Sequence, residues 1–140
     1  MTRAASRQRG VLALWTAVLL PIVIMLLALV IESAYLFALR RAQQTATDLA
    51  AQAGALQALR ENAAGVTTAA QYTAAENGFP VAASTTVTVD RPPATGAYAG
   101  NELAVRVRIE HQPPRLFSAL FVGASTLIGT QATARLRRPA

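Results

Sequence analysis

His111 is the only histidine in this 140-residue chain, and it stands at the end of an alternating segment just before a Pro-Pro pair. General acid-base work or metal ligation would need a second and third group converging on it. The seven acids, Glu32, Asp48, Glu61, Glu76, Asp90, Glu102 and Glu110, are scattered, and Glu61 and Glu76 fall in separate helical stretches. Cysteine is absent, which removes disulfides, thiolate zinc sites and a Cys nucleophile together. No G-x-S-x-G elbow occurs, and no Gly-rich loop joins a strand to a helix. The expectation is a chain with no catalytic residues, no metal, no cofactor and no small-molecule substrate, in which His111 is exposed or packed.

The remaining charged chemistry is arginine. All thirteen basic residues are Arg, and they set a net charge of +6. A nucleic-acid binder spreads such charge over a polar surface, whereas this chain is 53% hydrophobic with a mean hydropathy of +0.33. Arg106 and Arg108 alternate with Glu110, and no aromatic stacking platform accompanies them, so nucleic acid is not an expected partner. Position is more telling. Arg3, Arg7 and Arg9 precede a long apolar run, Arg40 and Arg41 follow it, and Arg135, Arg137 and Arg138 close the chain. Between residues 42 and 134 five arginines face six acids. The charge is therefore a topology signal with a basic tail, which is either solvated or docked on anionic lipid.

The apolar run explains that distribution. Val11 to Ile31 contains no charge, and fourteen of its twenty-one residues are Val, Leu or Ile. At about 1.5 Å per residue it spans roughly 31 Å, the thickness of the hydrocarbon core. It is too long for a secretory h-region, and no A-x-A site follows it. The expectation is a single-pass anchor over 11–39, with the basic leader 1–10 cytoplasmic and residues 40–140 periplasmic or extracellular by the positive-inside rule. Pro21 lies near the middle of the span and predicts a kink or local loosening. It has two readings, an ordinary tolerated proline or a place where the helix bends as subunits pack. Glu32, at the outer end, is either solvated among headgroups or paired with an Arg of a neighbouring helix.

Beyond Arg40 the Ala-, Gln- and Leu-rich stretch is helical by propensity, so one helix is expected from about residue 11 to 63, its upper part being 40–63. Ala46, Leu49, Ala53, Leu56 and Ala63 trace the apolar stripe expected to pack on the rest of the domain. A shorter helix is expected over 66–76, stopped by Asn77-Gly78 and Pro80. The period then changes to two, predicting strands at about 85–90, 103–110 and 127–137. Leu116, Phe117, Leu120 and Phe121 look like helical turns whose apolar face packs into the core, with membrane or subunit contact as the other reading. The fold class expected is α+β, a long N-terminal transmembrane helix continuing into a small domain with a roughly three-stranded antiparallel sheet.

That order of elements resembles the Tad (tight adherence, Flp-type) pilus-assembly proteins of the TadE, TadF and TadG kind, TadG-like ones most. The likeness is carried by Arg9-Gly10, Leu20-Pro21, Glu32, Gln44 and Asp48, then the Ala-rich run from Leu49 to Ala55. It extends more loosely over 103–136, where a strand, a short Phe-containing helix and an Ala-Thr-Ala strand follow one another. The resemblance implies a minor pilin or pseudopilin of the bacterial inner membrane that works by helix packing with pilins or other Tad assembly proteins, at the pilus base or within the filament. Pro21, Glu32, Gln44 and Asp48 are its candidate packing residues. It also implies a candidate prepilin-peptidase cut after Gly10. Processed members of the wider class carry Glu as the fifth residue after that Gly, and here the position is Trp15, which favours an unprocessed chain. The competing reading is a membrane-anchored periplasmic binding or sensing module outside any pilus.

Overall fold

The computed structural model describes residues 3–117, 119 and 126–137. Among them are two helices, α1 (Arg3–Leu59) and α2 (Ala63–Glu76), and three strands, β1 (Thr85–Asp90), β2 (Ala104–His111) and β3 (Ile128–Arg135). A long apolar helix followed by a three-stranded antiparallel sheet is the α+β class that the change of period implies. The chain forms two compact units, one from Met1–Leu36 with Arg115–Gly123, the other from Phe37–Pro114 with Ala124–Ala140. Helix α1 contributes to both.

In the first unit α1 is long and apolar enough to cross a membrane, and none of its most apolar window is buried within the chain. Every residue from Val11 to Leu27 is exposed. The helix runs through Pro21 without ending, so the missing N–H and the ring cost a hydrogen bond and not the element.

The second unit is built on a sheet of order β1-β2-β3. Val89 pairs with Val107 in β2, and Val107 with Ala132 in β3, so one face collects Val87, Val105, Val107 and Ile109. Against that face α1 turns Ala46, Ala50, Ala51, Ala55 and Ala58, and α2 turns Val66, Ala70 and Ala74; Phe79 completes the core. Alanines let the helix backbone come close to the valines. Gly54 marks the closest approach, since a Cβ there would meet Val105 Cγ1 at 3.0 Å.

The leucine stripe faces elsewhere. Leu49 and Leu56 are 39% and 40% exposed, Ala63 is exposed, and only Ala46 of the expected set is fully buried. Periodicity marks both a leucine row and an alanine row on this helix, and close packing on a valine-rich sheet selects the smaller side chains. The expected helix to residue 63 also stops earlier. Glu61 adopts a left-handed φ of 60°, Asn62 N–H donates to Gln57 O and Glu61 N–H to Ala58 O, which closes α1 in a Schellman turn. Glycine usually signals such a turn, and here a Glu occupies the position. Asn62 then caps α2, its side-chain oxygen accepting from Gly65 N–H at 3.1 Å. At the other end of α2, Gly78 (φ 90°) and the Phe79 N–H to Ala74 O bond form the stop expected at Asn77-Gly78.

Candidate functional site: the N-terminal helix

His111 is a packed histidine. Its Nδ1 lies 2.8 Å from Thr85 Oγ1, and its ring stands edge-on to Phe79 at 5.6 Å between centroids. Among the described residues no three His, Asp or Glu side chains come together as metal ligands. The sheet arginines are engaged locally. Arg106 holds Thr95 of the β1–β2 loop through both its hydroxyl and its carbonyl oxygen, Arg108 reaches Glu110 at 3.7 Å and Gln131 at 3.1 Å, and Arg135 lies over the Tyr98 ring. Arg138, at the end of the basic tail, lies outside the described residues.

The residues singled out on α1 separate into distinct environments. Gly10 is exposed, with open space where a Cβ would stand. Pro21 is exposed on the apolar surface. Glu32 is 4% exposed within the chain. Its Oε2 accepts a hydrogen bond from the main-chain N–H of Phe117 at 3.3 Å, both residues belonging to the first unit. A main-chain donor is an effective partner for a carboxylate withdrawn from water. Phe117 and Leu116, expected in a core, are 38% and 50% exposed; Leu120 and Phe121 lie outside the described residues.

Gln44 and Asp48 meet each other. Gln44 Nε2 donates to Asp48 Oδ1 at 2.9 Å, one helical turn on, and lies 3.4 Å from the Gln131 carbonyl of β3. Asp48 is exposed. The polar residues that sequence reasoning passed over are their neighbours. Gln43 is fully buried and its Nε2 donates to both Ile109 O and Ile128 O, at 2.8 and 2.9 Å. Thr47 bonds Gln43 O at 2.7 Å and pairs with Thr130 at 2.6 Å between hydroxyl oxygens. The one available signal was the i, i+4 spacing of Gln43 and Thr47 beside Ala46 and Ala50, on the face that turns inward.

Helix α1 thus carries a bare apolar stretch, a buried carboxylate just past it, and an alanine face studded with Gln43 and Thr47 that holds the sheet. Comparison with known families selects the same stretch. Residues 10–58 match the family model Tad, described as putative Flp pilus-assembly TadE/G-like. Neither curated proteins nor solved structures give a match. The Tad segment starts at Gly10 and stops one residue before α1 ends, leaving α2 and the sheet outside it. The looser likeness expected over 103–136 lies outside it as well. The match covers 49 of the 140 residues, and over that segment α1 is long and apolar enough to cross a membrane.

Proposed function

We propose that this chain is a single-pass inner-membrane component of a Tad/Flp-type pilus and secretion machine, of the minor pilin or pseudopilin type, acting by side-by-side packing of α1. The observation that carries this reading is the coincidence of the family match, 10–58, with α1. Two surfaces of that helix are available for packing. Within the apolar stretch, which is exposed all round, it is the side that includes Pro21. Beyond the stretch it is the outward row with Asp48, Leu49 and Leu56, where Gln44 donates a hydrogen bond to the Asp48 carboxylate. Glu32, the remaining packing candidate, also accepts a hydrogen bond from the Phe117 main chain within its own chain. The basic leader is cytoplasmic, and the sheet-bearing unit lies on the periplasmic side.

The test is replacement of residues 11–39 by an unrelated transmembrane helix of equal length. Piliation, counted by electron microscopy and by sheared pilin, is expected to be lost while the protein remains in the membrane fraction. Normal piliation with the substituted helix would overturn the packing role and favour a tethered sensing or binding module.

A further inference from the structure

Glu32 is the first residue past the apolar run, and it is tied to Phe117 by a hydrogen bond from the Phe117 main chain. With Val11–Ile31 across the hydrocarbon, that bond places the turn at Arg115–Phe117 at the depth where the span ends. Its two apolar side chains are not withdrawn into the chain. Leu116 and Phe117 are both exposed, and so is Tyr35, about one helical turn beyond Glu32 in the same unit. Aromatic and aliphatic groups at this depth meet acyl chains and the headgroup boundary, where amphipathic rings concentrate in membrane proteins.

From this geometry we infer that the Arg115–Phe117 turn is a second membrane contact of the chain, with Leu116 and Phe117 entering the upper acyl region of the leaflet at the Glu32 end. The occupant of this small apolar surface is lipid. Two side chains are far too little for a stable protein interface, which needs about 800 Å² from each partner, whereas bilayer is present at this depth whatever else binds. Glu32 is the positioning residue. It holds the turn against the helix by accepting a hydrogen bond from the turn's main chain. The inference rests on the membrane-spanning reading of 11–31 and goes beyond the pilus reading.

Trp15 is the single tryptophan, which makes the test clean. The full-length double variant Trp15→Phe, Phe117→Trp is reconstituted in phosphatidylcholine vesicles whose acyl chains carry bromine either near the headgroup or near the methyl end. The indole at 117 is expected to emit blue-shifted and to be quenched more strongly by the shallow bromine. Glu32→Ala in that background is expected to lose this quenching, and Glu32→Gln, which keeps an acceptor oxygen, to retain it. Water-like emission without quenching at 117, with native Trp15 quenched in the same lipids, would overturn the lipid contact and leave the span intact. Trp15 unquenched would overturn the span and the contact together. Quenching unchanged in Glu32→Ala would overturn the positioning role.

Discussion

Gln43 and Ile109, 66 residues apart in sequence, are joined by a 2.8 Å hydrogen bond from the amide of the first to the main-chain oxygen of the second. The same Nε2 also serves Ile128 O, so one helix side chain ties β2 and β3 together from inside the core. Replacing it with an apolar residue removes two buried hydrogen bonds at once. Gln43→Leu is expected to destabilise the sheet-bearing unit by about 1–3 kcal/mol. Gln44→Leu, on the helix surface, should shift stability far less. Urea titration of both variants in the same detergent checks the contrast.

Gly54 is expected to tolerate alanine and nothing larger. With Val105 Cγ1 3.0 Å from where a Cβ would stand, Gly54→Ala sets a gain of up to about 1 kcal/mol in helix propensity against a small displacement of Val105, so its net effect should be near zero. Gly54→Leu forces the helix off the sheet and should cost about 1–3 kcal/mol or more. Thermal melts of the two variants rank them.

Asn62 closes the junction between α1 and α2 by capping the second helix. Asn62→Ala is expected to cost about 1 kcal/mol. Amide exchange should report it first in the opening turn of α2, around Gly65 and Val66, with β2 unaffected.

The outward leucines separate stability from assembly. Leu49 and Leu56 contribute little to the core, so Leu49→Gln with Leu56→Gln should leave the melting temperature nearly unchanged and reduce piliation. A melting temperature that drops together with piliation would assign these residues to folding instead.

The leader offers a direct mass test. Trp15 stands where processed prepilins carry Glu, so the membrane-extracted protein is expected to retain residues 1–10. A mass corresponding to a start at Val11 would identify Gly10 as a peptidase site.

The uncharged run Val11–Ile31, the flanking arginines, and the change from helical to alternating period were legible because each is a local property of the chain. They dictated a long apolar helix followed by an antiparallel sheet, and the motifs along that helix pointed to the Tad likeness that the match over 10–58 then met. Periodicity could not say which row of α1 faces the core. Ala46–Ala50 and Leu49–Leu56 repeat equally well, and only the valine-rich sheet, with Gly54 close against Val105, selects the small residues. The Tad likeness marks Gln44 and Asp48, while Gln43 and Thr47, one residue earlier and one face inward, hold the tertiary structure. The end of α1 was hidden because its left-handed cap is Glu61 rather than glycine. Glu32 shows the limit most clearly. Its place at the edge of the apolar run is written in the sequence, but the main-chain donor that meets its carboxylate lies 85 positions away, and only the folded chain brings the two together.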